Sequence, residues 1–104
     1  MAQHYFDSSG NWIAFRRSVD DRYLFDTDGN WIGWFPWGDG DAVDTDGNYL
    51  GSVSGNRLLR LNRPYRGYPG YPGYPGYPGY PGYPGYAGYR MLPWGASDVR
   101  IPKK

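Results

Sequence analysis

The sequence predicts an all-β fold: a small antiparallel barrel of four β-hairpins, about eight strands, carrying an extended polyproline II-like arm. Three observations lead there. One hairpin motif recurs three times at spacings of 19 and then 18 residues, eight consecutive Gly-x-y triplets run from Gly67 to Arg90, and the residues that build surface helices are nearly missing. In 104 residues there is no glutamate, Gln3 is the only glutamine and lysine occurs only at Lys103 and Lys104, so the commonest surface helix formers are almost missing. Tryptophans and phenylalanines sit instead among Gly, Asp, Asn and Ser, the composition of strands joined by tight turns.

The first copy of the motif is Tyr5-Phe6-Asp7-Ser8-Ser9-Gly10-Asn11-Trp12-Ile13-Ala14-Phe15. The second is Leu24-Phe25-Asp26-Thr27-Asp28-Gly29-Asn30-Trp31-Ile32-Gly33-Trp34, and the third runs from Ala42-Val43-Asp44 to Tyr49-Leu50-Gly51-Ser52. Each reads apolar pair, Asp, two polar residues, Gly-Asn, aromatic, aliphatic, small. That order predicts a hairpin, because Gly and Asn tolerate positive φ and the preceding Asp can cap the free amides of the turn. Strict alternation puts Ile13, Ile32 and Leu50 on one face of the outgoing strands, with Phe15 and Trp34 two residues on. Trp12, Trp31 and Tyr49 fall on the other face with the small residues Ala14, Gly33 and Gly51, as if a ring covered the neighbouring backbone. Trp37-Gly38-Asp39-Gly40-Asp41 reads as a turn opposite the Gly-Asn tips. A fourth unit takes Arg57-Leu58-Leu59-Arg60-Leu61 as its ascending strand and Met91-Leu92-Pro93-Trp94, or Asp98-Val99-Arg100-Ile101, as its descending one. The expected strands lie near 4–7, 11–16, 22–26, 30–35, 41–44, 48–53, 57–62 and 91–101. Closing them into a barrel removes exposed sheet edges and gives a short chain one core. The chain thus divides into hairpin repeats at 1–63, the arm at 64–90 and a closing strand with a basic tail at 91–104.

In the arm a tyrosine stands at every third position from Tyr65 to Tyr89. Polyproline II has three residues per turn, so in that conformation the tyrosines line one face as a ladder with rungs about 9 Å apart. Tyr68, Tyr71, Tyr74, Tyr77, Tyr80, Tyr83 and Tyr86 are the candidate contact residues, together with the aromatic face Trp12, Trp31 and Tyr49. Four roles are open to the arm: a linker, a collagen-type trimer, a ladder docked on the barrel's own tryptophan face or on another copy's arm, and a membrane-interface or other ligand contact. A purely structural plug is the plain counterpart of the contact readings.

Charge is split. Residues 1–56 carry nine Asp against three Arg, and residues 57–104 carry eight Arg or Lys against Asp98. Arg57, Arg60, Arg63 and Arg66 recur every three residues and enter the arm in phase. In an extended three-fold helix Arg60, Arg63 and Arg66 form a basic rail beside the tyrosines, suited to phosphate or headgroup contact; alternatively they balance the acidic hairpins. The expected partners are a second copy of the chain and an anionic membrane surface or lipid, not nucleic acid or metal.

Nothing in the sequence assembles a catalytic constellation. Without cysteine there is no disulfide, thiolate metal site or cysteine nucleophile. Asp26-Thr27-Asp28-Gly29-Asn30 and Asp44-Thr45-Asp46-Gly47-Asn48 resemble the start of an EF-hand loop, but that loop needs a glutamate at its twelfth position, so turn chemistry is the better reading. His4 is the only histidine, and Asp20-Asp21 after Arg16-Arg17 reads as an ion-paired turn. The expectation is a non-catalytic binding or assembly module without a cofactor. The start Met1-Ala2-Gln3-His4-Tyr5 has no signal-peptide pattern and no apolar run reaches membrane-spanning length, which favours a cytoplasmic or membrane-peripheral chain.

With three copies of Asp-x-x-Gly-Asn-aromatic-aliphatic and a fourth hairpin over residues 4–62 and 91–101, the chain resembles the four-fold β-flower family, a shallow barrel whose hairpins project as petals. That family is similar to the tubby-like and scramblase-like barrels, and the resemblance implies a lipid or membrane-surface role. A second resemblance is to the choline-binding repeats of cell-wall proteins, through Tyr5-Phe6-Asp7-Ser8-Ser9-Gly10, Phe25-Asp26-Thr27-Asp28-Gly29 and Gly33-Trp34. It implies an aromatic cage for a quaternary ammonium. The third copy departs from that pattern, with Ala42-Val43 in place of the aromatic pair and Gly51-Ser52 in place of Gly-Trp.

Overall fold

A computed structural model describes residues 2–64 and 66–102; Tyr65, one rung of the expected ladder, and the basic tail Lys103-Lys104 lie outside the described residues. The described chain is all-β. Its strands are β1 (Gln3–Phe6), β2 (Trp12–Arg16), β3 (Tyr23–Asp26), β4 (Trp31–Trp34), β5 (Asp41–Asp44), β6 (Tyr49–Ser54), β7 (Arg57–Arg60) and β8 (Ser97–Asp98). Each strand pairs antiparallel with the next, and β7 also meets β1 in parallel at Phe6 and Arg57, which closes a seven-stranded barrel. The eighth strand differs from the expectation: it is two residues long and lies outside the ring against Leu59 and Arg60. Residues 91–96 are not a strand, because Pro93 cannot donate to a ladder and Gly95 takes φ +81° in a turn there.

The three repeated turns follow directly from their sequence. In the second, Gly29 N donates to Asp26 O (3.1 Å) and Asp26 N to Asn30 O (2.9 Å), a type I turn closed by a glycine at φ +86°. The Asp26 carboxylate accepts from the amides of Asp28 and Asn30, both at 2.9 Å. Asp44 does the same in the third turn, toward Asp46 (2.9 Å) and Asn48 (3.0 Å). These carboxylates are thus committed to the turn. Asn does not share the positive φ expected of it; among the described residues only glycines take it.

A bulge repeats with the motif and changes which residues face inward. Tyr5 pairs with Ala14 and Phe6 with Trp12, so Ile13 is an extra residue; Ile32 is skipped in the same way between Trp31 and Gly33, and Leu50 between Tyr49 and Gly51. An inserted residue resets the alternation. Ile13 and Ala14 therefore face the interior together, while Phe15 joins Trp12 on the opposite face, contrary to strict alternation. The interior takes Tyr5, Ala14, Leu24, Ile32, Ala42, Leu50 and Leu58, one from each of the seven strands, with Phe35 beside them and Val99 and Ile101 packed in from the C-terminal segment.

The outer face of β2–β5 carries a second apolar cluster of Phe15, Phe25, Trp31, Trp34 and Val43, flanked by Trp12, Tyr23 and Trp37. Phe15 and Phe25 stack at 5.6 Å with almost no exposure. Apolar area of that size on the outside of a barrel must be covered, and the arm lies across it.

Candidate functional site: a tyrosine-bearing belt

The arm is a belt and not a straight rod. Eight triplets at about 3.1 Å per residue would extend roughly 75 Å, whereas the largest dimension of the molecule is 34 Å. Its glycines explain the difference. From Gly67 to Gly88 they take φ between +80° and +92°, far from the −75° or so of polyproline II and close to the third position of a type II turn, where Pro precedes Gly. The chain therefore bends at each triplet and follows the barrel's circumference.

The belt leaves the end of β7, where Leu61 N donates to the Tyr49 hydroxyl (3.0 Å), and passes the three hairpins in reverse order. Tyr68 lies over Gly47, Tyr77 over Gly29, and Ala87 N donates to Gly10 O (2.9 Å). It then returns to β7 through β8. One equivalent position in each hairpin ties it down: His4 Nε2 reaches Gly82 O (3.2 Å), the Tyr23 hydroxyl donates to Pro72 O (3.0 Å), and Asp41 accepts from Arg66 (3.0 Å). His4, the only histidine, is thus bonded to the belt and set edge-on to Trp12 at 5.4 Å.

The motif tryptophans wedge between consecutive rungs. Trp12 sits 6.0 Å from both Tyr80 and Tyr83, and Trp31 sits 5.6 Å from Tyr71 and 5.9 Å from Tyr74, in edge-on or tilted geometry that favours aromatic pairs. The two tryptophans are 19 residues apart and their tyrosine partners nine, so three triplets span one hairpin. Each indole also folds back on its own strand, Trp12 Nε1 to Ala14 O (2.8 Å) and Trp31 Nε1 to Gly33 O (2.7 Å), but the small residues do not share the indole face as expected: the bulge turns Ala14 into the interior, and a side chain at Gly33 or Gly51 would meet the interior residues Leu50 or Val99. Tyr49 replaces the tryptophan in the third hairpin and bonds to Ser52 Oγ at 2.7 Å.

The tyrosines present an unbroken outward row. From Tyr68 to Tyr89 all eight are 60–71% exposed, while nearly all the prolines and glycines between them are half-buried. The three-residue phase read from the sequence is preserved although the backbone is not polyproline II.

The arginines do not form the expected rail. Arg60 lies over the Tyr49 ring at 5.3 Å and donates to Tyr49 O, Arg63 pairs with Asp41 (3.4 Å), and Arg66 pairs with Asp39 (2.8 Å) and Asp41. The bond from Arg66 holds the Asp39 carboxyl below the usual carboxylate range and raises the Arg66 guanidinium. Arg60, Arg63 and Arg66, with Asp41 and Tyr49, line a cavity of about 390 Å³ beside Trp37. Arg57 departs furthest from the expectation. It is buried at 6% exposure and donates to Asp7 O (2.9 Å), Gly88 O (2.8 Å) and Ala87 O (3.2 Å), joining β7, the first hairpin tip and the end of the belt. Asp98 completes that junction by accepting from Ser8 N (2.8 Å) and Ser8 Oγ (2.7 Å). Arg57 is not distinguishable in sequence from the other arginines of its series, whereas Asp98 stands out as the one acid of the basic half.

No protein-family model, no curated protein and no solved structure matches this chain.

Proposed function

We propose that this chain is a non-catalytic binding and assembly module that meets other copies of itself through the tyrosine rim. One observation carries the reading: eight tyrosines, each more than half exposed, stand in constant phase on a backbone fastened to the barrel at every hairpin. Rings fixed in advance lose little side-chain freedom on contact, and tyrosine combines a large apolar face with a hydroxyl for the edge of an interface. Among the partners expected from sequence, a second copy fits better than an anionic membrane. Arg63 and Arg66 are paired with Asp39 and Asp41 and Arg60 is laid over Tyr49, so the basic rail expected beside the tyrosines is turned to the barrel's own groups. A ring of side chains around a body of 34 × 33 × 24 Å also offers a flat bilayer only one arc at a time.

Light scattering across a concentration series of the full chain, alone and with anionic vesicles, tests this. The expected result is reversible self-association, reduced about tenfold or more in a Tyr68→Ser, Tyr86→Ser double variant, with vesicles leaving it unchanged. A chain that stays monomeric at every concentration, or that binds vesicles but not itself, overturns the proposal.

A further inference from the structure

One tryptophan takes no part in the packing of the fold. Trp94 is fully exposed, whereas Trp12, Trp31, Trp34 and Trp37 are buried or half-buried. Its backbone is nonetheless fixed: Ala96 N donates to Pro93 O (3.0 Å) and Gly95 takes φ +81°, a type II turn with Trp94 at its second position. Half-buried Leu92 and the bond from Arg90 to Ser54 O (2.9 Å) tether the chain just before that turn. A bare indole on a fixed turn contributes nothing to a core and has the character of an interface anchor. We propose that Trp94 of one protomer inserts between Tyr74 and Tyr77 of a second copy. The proposal rests on the self-association argued above and names the group that anchors it.

The chain already makes this contact twice within itself. Trp12 lies between Tyr80 and Tyr83 and Trp31 between Tyr71 and Tyr74, so consecutive rungs of the belt accept an indole between them. The next gap, from Tyr74 to Tyr77, holds no tryptophan of its own. It borders a crevice of about 400 Å³ between the second and third hairpin tips, lined by Tyr74, Tyr77, Asn30 and Asp46 among others, a volume ample for an indole. Trp31 has spent its donor on Gly33 O, while Trp94 Nε1 has no partner among the described residues, and Asp46 in the crevice offers it a carboxylate. Charge favours the same occupant. Arg90 and Arg100 flank Trp94 in sequence and are exposed, Asp28 and Asp46 are exposed at the second and third tips, and none of the four has an ion pair among the described residues. The acidic and basic halves of the chain meet within one molecule at Asp39 and Asp41, and these four charges are left to meet between two.

Indole and crevice are separate groups, so each can be removed alone. Light scattering is recorded over a concentration series for the parent, Trp94→Ala and Tyr77→Ser chains, and then for an equimolar mixture of the two variants. Each variant alone should self-associate about tenfold more weakly than the parent. The mixture should recover a one-to-one complex, because one component keeps the crevice and the other the indole. Acrylamide should quench the parent's tryptophan fluorescence less as its concentration rises, and Trp94→Ala should lack that change. Asp46→Ala leaves every ring in place and should weaken association about three- to tenfold; it replaces Tyr77→Ser in the mixture if circular dichroism shows that variant unfolded. Parent-like association of Trp94→Ala, or a mixture that associates no better than its components, overturns the anchor while leaving the rim reading to its own Tyr68→Ser, Tyr86→Ser test. A parent chain that stays monomeric overturns both.

Discussion

Arg57 shows how much one side chain can join. Its guanidinium is buried and satisfies carbonyls from the first hairpin tip and the belt at once, so the fold depends on its five-donor geometry more than on its charge. Arg57→Met should destabilise the protein by about 2–4 kcal/mol, since the carbonyls of Ala87 and Gly88 lose their guanidinium donor and that of Asp7 keeps only the Gly10 amide. Arg57→Lys should recover only part of that, and urea denaturation of the three proteins measures the difference. Glycine offers a second comparison. Gly29 and Gly38 both have positive φ, but a side chain at Gly29 would meet the Tyr77 ring while one at Gly38 would meet open space. Substitution by alanine should cost about 1 kcal/mol of backbone strain at Gly38 and about 1–3 kcal/mol at Gly29, where the ring must also move. Equal thermal midpoints in the two variants would show that Tyr77 does not press on the turn.

At the scale of the element, the belt and the hairpins share a register. Tyr71 and Tyr74 hold Trp31, and the corresponding pair nine residues later holds Trp12. Inserting one alanine after Gly76 should break that register, because the tyrosines beyond it can no longer straddle Trp12 while Ala87 remains bonded to Gly10. Inserting a whole Gly-Tyr-Pro triplet preserves phase and adds only slack, whose loop entropy is small. The single insertion should therefore lower the thermal midpoint more than the triple one, the reverse of what insert length alone suggests. Tryptophan fluorescence in the same melts reports on Trp12 directly.

For the whole molecule, the belt supplies the outer half of the apolar packing. Deleting residues 67–87 uncovers the Trp31 and Trp34 cluster and removes one of the carbonyls bonded to Arg57, so the truncated chain should lose stability and bind a hydrophobic dye. A truncated chain as stable as the parent would reduce the belt to a display strap. Acid should loosen the fold at defined places. Burial pushes the Asp21 carboxyl up, but bonds from Arg17 and from the amides of Tyr23 and Arg17 outweigh it, and its net shift is downward, like that of Asp39. A depressed folded pKa stabilises the folded state fully above the unfolded carboxylate value, about 3.9, and that stabilisation disappears as pH falls through the folded values. Thermal midpoints should accordingly hold steady above about pH 5 and drop below pH 4. Asp39→Asn should flatten part of that drop, through loss of the Arg66 latch at the start of the belt.

The repeats by themselves determined the strands, the turn chemistry and the three-residue phase of the tyrosines, because a five-residue turn and a Gly-x-y period are local and their backbone preferences act within a few residues. That a motif ring would cover the neighbouring backbone was legible for the same reason, since Trp12 and Trp31 each bond a carbonyl two residues on in their own strand. The inward placement of Ile13 beside Ala14 was not, since a bulge is a property of two paired strands and one strand alone reads as strict alternation. The polyproline reading of the arm failed at its glycines: Gly is free to take either sign of φ, and the curved, aromatic surface beneath it selected the positive one. Only the closed barrel, by bringing β7 beside β1 and the belt back to β7, decided that Arg57 is buried and that Arg63 and Arg66 pair with acids some 22 to 27 residues away.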